Sequence, residues 1–279
     1  MQGALANATR PHPMHSPDYL YSNAHAAALE RLQELERIED PDTVAALESL
    51  GNLTGWHCLE VGAGAGSIAR WLAQRVGPMG CVDATDLDPR FLEPMASDTM
   101  EVWRQDVVRD ALPAENFDLI HARHVLIHLG GGVAAALDNL CQSLKPAGML
   151  LIEESDFAGA RAADTTPESL QAVYDTGLAA MLNFFRHRGM DVHLGAAVPD
   201  LLKQRSMTIQ KTLRRQRTVQ GGSPEALFHR ETYGQARDAV VSTGIASAAV
   251  MDEMIAAHAD SRLFYQSRQT VCVTAQKKT

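Results

Sequence analysis

Between His57 and Glu154, short apolar-rich runs alternate with stretches in which apolar residues recur at helical spacing. HCLEV (57–61), CVDATD (81–86), MEVWR (100–104), FDLIHA (117–122) and MLLIEE (149–154) have the length and content of buried strands. Between them, Ile68, Trp71, Leu72 and Val76 share one face of a helix over 67–76. Val133, Leu137, Leu140, Cys141 and Leu144 do the same over 133–144, and Gly77 and Gly148 follow the two helices as stops. Strands and helices alternating at this spacing predict an α/β fold, a mostly parallel sheet with helices on both faces.

The flanks follow other rhythms. Residues 1–18 carry Pro11, Pro13 and Pro17 with no periodicity, which predicts a flexible arm. Ala28, Leu29, Leu32, Leu35 and Ile38 predict a helix from Ala24, and Asp40-Pro41 offers the N-cap and first turn of a second helix ending before Gly51. Past Asp156, residues 166–204 read as mostly helical, and a strand begins at Met207. A break follows at Gly221-Gly222-Ser223-Pro224, then two more helical stretches and a last strand over 270–275.

Composition narrows the partners. At 279 residues, with 46% hydrophobic and 21% charged residues, the chain has the make-up of one large globular α/β unit with insertions. A net charge of −9 argues against nucleic acid, whose binding needs clustered Lys and Arg. The one basic cluster, Lys211 to Arg217, reads as a guarded edge strand. The N-terminus lacks the charged start and apolar run of a signal peptide, and no apolar run approaches the ~20 residues of a spanning helix. Cys58, Cys81, Cys141 and Cys272 form no CxxC pair and read as free thiols of a reducing compartment. The expectation is a cytoplasmic protein with a small-molecule partner and neither nucleic acid nor membrane.

Glu60-Val61-Gly62-Ala63-Gly64-Ala65-Gly66 follows the first strand and opens a helix, so glycines fall where the chain turns sharply and a ligand can approach the backbone. The second strand ends at Asp86, about 20 residues past the last glycine, the spacing of a carboxylate that accepts from ribose hydroxyls. Gln105-Asp106-Val107 adds a second carboxylate at a third strand's end. A dinucleotide such as NAD calls for a glycine three residues after Gly64, where Ser67 stands instead.

LEVGAGAGSIARWLA, ATDLDPRFL, QDVVRDALPAENFDLIHARHVLIHL and LKPAGMLLIEE together resemble, in order and spacing, the successive motifs of class I methyltransferases that use S-adenosylmethionine (SAM). The resemblance spans about residues 55–156 and is greatest to the branch holding quinone-biosynthesis and bacterial natural-product enzymes. It implies a Rossmann-like, seven-stranded sheet and SAM as cofactor, with S-adenosylhomocysteine as product. Glu60, Gly62, Ala63, Gly64 and Gly66 would wrap the methionine part, Asp86 would hold the ribose and Leu87 would pack beside the adenine. Asp106 and Val107 would hold the adenine's amino edge, and His121 with Ala122 would line the sulfonium. The family analogy leaves a homo-oligomer open.

Methyl transfer is an in-line displacement that needs alignment above all, although a phenol or enol acceptor gains from a base near neutral pH. His128 is the first candidate, since relatives often carry histidine in such a V-L-x-H-L run; His124 is the second, and Asp156 could orient a histidine or accept a proton. His121, His124 and His128 would share a face if their segment were helical, but the pattern lacks a fourth ligand and no metal is expected. The expected organisation is an N-terminal arm and helices (1–51), a SAM-binding core (52–156) and lid helices with the closing strands (157–279). Substrate would enter between the arm and the 166–204 helices, touching Tyr19, Tyr21, His25, Tyr174, Phe184 and Phe185. The rivals are a SAM-binding cyclase of the same fold that does not methylate and an NAD-dependent oxidoreductase.

Overall fold

The computed structural model describes residues 27–279. Tyr19, Tyr21 and His25 lie outside the described residues, and so do the first positions, 24–26, of the predicted helix. In chain order the elements are α1 (Ala28–Glu48), β1 (His57–Val61), α2 (Ser67–Val76), β2 (Cys81–Asp86), β3 (Met100–Arg104), β4 (Phe117–Arg123), α3 (Val133–Ser143) and β5 (Leu144–Asp156). There follow β6 (Arg161–Ala162), α4 (Glu168–His187), α5 (Leu194–Lys203), β7 (Met207–Arg215), β8 (Thr218–Gln220), α6 (Pro224–Ser242), α7 (Ala248–Ala257), β9 (Phe264–Gln266) and β10 (Gln269–Lys277).

Seven strands form one sheet in the order β3-β2-β1-β4-β5-β10-β7, parallel from β3 to β5, with β10 antiparallel to both neighbours. This is the mostly parallel, seven-stranded Rossmann-like sheet that the sequence pattern and the resemblance led us to expect. Successive side chains of each strand point to opposite faces, and both faces are covered. Leu59, Val61, Ile120, Leu150 and Ile152 meet Leu137 and Leu140 of α3 and Val198 and Leu202 of α5 in one core. Cys58, Val82, Ala84, Leu119 and Leu151 meet Leu47 of α1 and Leu72 of α2 in the other. Cys58, Cys141 and Cys272 are buried free thiols, as their apolar surroundings predict.

The sequence predicts two helices before β1, whereas α1 is continuous with Pro41 inside it. An interior proline costs roughly 3 kcal/mol in an isolated helix. Here side chains on both sides of Pro41 are tied to the sheet: Asp40 accepts from Arg123 at 2.9 Å, and Thr43 donates to Glu153 at 2.5 Å. Tertiary bonds therefore hold the helix through a residue that local propensity would place at a boundary.

The basic run on β7 lies at the sheet edge, as expected, but only part of it faces out. Arg215 approaches Asp42 at 3.4 Å, and Arg217 donates to Asp42 at 2.7 Å, so both turn toward α1. Beyond the sheet, α4, α6 and α7 pack on one another around Met181, Phe184, Tyr233, Val240 and Met254, beside a small sheet of order β6-β9-β8. The expected lid segment is thus divided, because α4 joins this outlying layer while α5 lies against β5, β7 and β10.

Candidate active site

The chain steps outward from β1 to β2 and β3, then returns to the other side of β1 with β4, so the strand order reverses there. In open sheets of this kind the crevice beyond the strands' carboxyl ends at the reversal is where ligands bind. The register brings the ends level: Val61 lies beside Thr85 and Ala122, Asp86 beside Arg104, and Arg123 beside Glu153. The glycine loop, Asp86, Asp106 and the His124 segment therefore open onto one cavity of about 990 Å³.

At the strand-end side the wall includes Glu60, Gly62, Ala63, Gly64, Asp86, Leu87, Asp106 and Val107. Gly62 has φ +64°, and a Cβ there would lie 2.4 Å from Cγ2 of Val125, so both conformation and space demand glycine. Gly66, at φ +87°, does not line the cavity; it makes the tight entry into α2 beneath Met95 and Leu92. Gly64 N–H donates to Asp86 Oδ2 at 3.1 Å, and Asp88 N–H donates to Oδ1 at 2.9 Å. Burial raises the Asp86 carboxyl to about 6, against the opposing pull of these two N–H groups. From α1, Arg31, Leu32, Leu35 and Glu36 complete this side, and Glu36 accepts from the N–H of Ser67 at 3.0 Å, at the start of α2.

His121 and Ala122 do not line the cavity; both are fully buried. His121 points into the α1 face of the sheet, with Nδ1 2.7 Å from Glu60 and Nε2 3.3 Å from Glu153. Burial alone would lower its pKa, but the two carboxylates raise it to about 9, so the imidazolium is the tie between two buried acids. The spacing of His121, His124 and His128 would share a face only in a helix. Because His121 lies on β4, that face does not exist, and no group of ligating side chains among the described residues could hold a metal.

His124 and His128 both line the cavity. His124 adopts φ +54° and its N–H donates to the Glu153 carbonyl at 2.8 Å. Arg268 Nη2 donates to its Nε2 at 2.9 Å, and Nδ1 lies 3.2 Å from the Ser155 hydroxyl. With its lone pair facing a guanidinium, His124 is poorly placed to take a proton, and burial and the Arg268 charge lower its pKa further. Burial, His124 and Arg31 push His128 down to about 4, so it is neutral at physiological pH. Asp156 does not line the cavity: it pairs with His193 at 3.0 Å and approaches Arg214 at 3.7 Å. Glu154, beneath it, accepts from the N–H of Leu126 at 2.6 Å, and burial raises its pKa to about 7.

The far end of the cavity is aromatic. Tyr174 and Phe185 come from α4, Phe228, His229 and Tyr233 from α6, and Tyr265 from β9, with Arg268 just beyond. Phe184 packs into the helical layer instead and does not reach the cavity. His229, Tyr233, Tyr265 and Arg268 escaped the sequence reading. Each stands alone in an unremarkable stretch, and only the packing of α6 against β9 brings them together.

Residues 22–195, well over half of the chain, match the methyltransferase domain family, and the chain belongs to it. It is 28% identical over 149 residues to methyltransferase str3 of Strobilurus tenacellus, a match covering 53% of this chain and 51% of that protein. It is also 31% identical over 90 residues to the aklanonic acid methyltransferase DauC of Streptomyces sp. (strain C5), covering 30% and 41%. The matched stretch thus spans about half the length of the curated relatives. Among solved structures, phosphoethanolamine N-methyltransferase 2 of Haemonchus contortus in complex with SAM aligns with a TM-score of 0.52 at 17% identity, over 86% of this chain and 53% of that one. The YcgJ protein of Bacillus subtilis aligns at 0.54 and 13% identity, over 85% and 99%. At such identities the likeness is one of fold.

Proposed function

We propose that the chain binds SAM at the strand-end side of the cavity and transfers its methyl group to a small organic molecule held at the aromatic end, a secondary metabolite methylated on oxygen or carbon. The observation that carries this reading is a single cavity with two chemically different ends. One end has a glycine turn, backbone N–H groups and two strand-end carboxylates; the other is aromatic. Its volume of about 990 Å³ lies at the upper limit for one ligand and leaves room for donor and acceptor together.

In this reading Gly62, Ala63 and Gly64 lie along the methionine part of SAM, with Glu60 beneath. Asp86 takes the ribose hydroxyls in place of the N–H of Gly64 it now accepts from, Leu87 packs on the adenine, and Asp106 and Val107 meet its amino edge. The relatives' names, among them an aklanonic acid methyltransferase, support a natural-product acceptor. The chemistry asks for little acid catalysis, since the sulfonium charge is neutralised as the bond forms, and alignment supplies most of the rate. His128 is the histidine candidate that keeps a place on the cavity wall away from the Arg268 guanidinium that faces His124. Its low pKa suits a neutral hydrogen-bonding partner better than a strong base.

Calorimetric titration with SAM, S-adenosylhomocysteine and NAD, repeated on Asp86→Ala, tests the assignment. Micromolar binding of the first two, weakened about a hundredfold in the variant by loss of two charge-assisted hydrogen bonds, is the expected result. Binding of NAD alone would overturn it.

A further inference from the structure

Tyr265 and His229 form a buried pair with the hydroxyl 2.6 Å from Nδ1. His229 is neutral, since burial and the nearby Arg268 charge hold its pKa well below the ordinary value. The buried Tyr265 hydroxyl has no other acceptor among the described residues for its hydrogen, so Tyr265 donates to Nδ1 and the remaining ring proton sits on Nε2. That nitrogen has no hydrogen-bond partner among the described residues, and the ring lines the cavity. The imidazole is therefore a fixed donor aimed at whatever occupies the aromatic end.

Arg268 adds charge at the same end. Its Nε donates to Ser155 at 2.8 Å, and Nη2 faces His124 at 2.9 Å and Glu39 at 3.2 Å, which leaves Nη1 without a partner among the described residues. Glu39 also faces Arg217 at 3.6 Å, so one carboxylate is divided between two guanidiniums and cancels the Arg268 charge only in part. The other ionisable groups around the pair are Tyr174, Tyr233, His258 and Glu225. Burial holds the two phenols and His258 neutral, and it raises the pKa of Glu225 against the pull of Arg217.

We propose that the acceptor is a phenol or an enol, an acidic hydroxyl on a conjugated ring, whose oxygen takes hydrogen bonds from His229 Nε2–H and the Arg268 guanidinium. The flat body of such a substrate packs against Phe185, Phe228 and Tyr174. This rests on the methyltransferase reading of the cavity and adds the substrate's chemistry to it. Donors to the ionised form of a hydroxyl lower its pKa, so the bound substrate loses its proton to solvent before transfer. The oxyanion's electron pair then forms the O–CH3 bond, the C–S pair returns to sulfur, and a neutral ether and a neutral thioether remain. His229 acts as a donor to the reacting oxygen, with Tyr265 fixing its tautomer, and no side chain has to receive the proton.

The probe is 4-nitrophenol, whose phenolate is seen directly in the visible spectrum, titrated with protein saturated in S-adenosylhomocysteine. Binding should raise the phenolate-to-phenol ratio about tenfold or more at a fixed pH below the probe's own pKa. His229→Asn, which keeps an atom near Nδ1 but none at Nε2, should abolish the shift; His229→Gln, whose amide reaches the Nε2 position, should restore most of it. Both variants should bind S-adenosylhomocysteine within about twofold of the parent, which separates loss of the donor from loss of fold. A probe bound as neutral phenol, a probe excluded from the complex, or an equal shift in His229→Asn would each overturn the proposal. Failure of the parent to bind S-adenosylhomocysteine at all would instead remove the methyltransferase reading beneath it.

Discussion

The two ends of the cavity are built in opposite ways. The strand-end side comes from consecutive loops of a parallel sheet, so one register places Gly62, Asp86, Asp106 and His124 together. The aromatic end comes from α4, α6 and β9, elements separated by long stretches of chain and joined by packing and the His229–Tyr265 hydrogen bond. A ligand site made by register is stiff because moving one contact means moving the sheet. A site made by helix packing can change its lining one residue at a time, which suits a family whose cofactor is constant and whose acceptors differ.

That contrast breaks most visibly at Gly62. Gly62→Val would drive a side chain into Val125 and strain a left-handed backbone, so S-adenosylhomocysteine affinity should fall more than about a hundredfold by calorimetry. Next in size is His121→Leu, which removes the cation between Glu60 and Glu153. Depriving two buried carboxylates of their shared cation should cost about 3–5 kcal/mol in urea unfolding at neutral pH. Because the His121 pKa is raised on folding, that stabilisation in the parent is complete below about 6.5 and is lost as pH rises through about 9.

At the other end, Phe185→Ala should weaken 4-nitrophenol binding about five- to tenfold through lost apolar contact, with S-adenosylhomocysteine affinity within about twofold. Equal losses of both ligands would show that the two ends are not separable. A pH series sharpens the strand-end side alone. Asp86 is raised to about 6, and ribose hydroxyls need the ionised carboxylate. Cofactor affinity should therefore be flat above about pH 7 and fall as pH drops through 6, approaching tenfold per unit below it, and Asp86→Asn should flatten that slope. The smallest effect is expected at Asp156→Asn, less than about twofold on any binding constant, because the carboxylate pairs with the half-exposed His193 and Arg214 away from the cavity.

Legibility in the sequence follows the same division. Strands β1 to β5 were readable because a sheet buried on both faces needs apolar runs, and the glycine turn because left-handed backbone has few other solutions. The carboxylates Asp86 and Asp106 were readable because strand ends in a parallel sheet are level by construction. His121 misled for a reason of alternation: a strand end offers two faces, and only the structure tells that this side chain points beneath α1. His124 lines the cavity, yet its tie to Arg268 spans 144 residues and leaves no local trace. The pairing of His229 with Tyr265 is of the same kind, and so is the continuity of α1 through Pro41, where bonds to Arg123 and Glu153 override the proline.

Those bonds also set an order of events in time. Glu39 on α1 meets Arg268 across 229 residues and Thr270 across 231, so the carboxylates of the first helix find their partners beside the last strand. At synthesis rates of about 5–20 residues per second, roughly 10–50 s separate the appearance of Glu39 from that of Arg268. Through that interval Glu39 lacks the Arg268 guanidinium, and the contact, once made, closes a loop of 229 residues. The first helix of the described residues waits for a partner beside the last strand, and the cavity it helps to wall gains its Arg268 side only then.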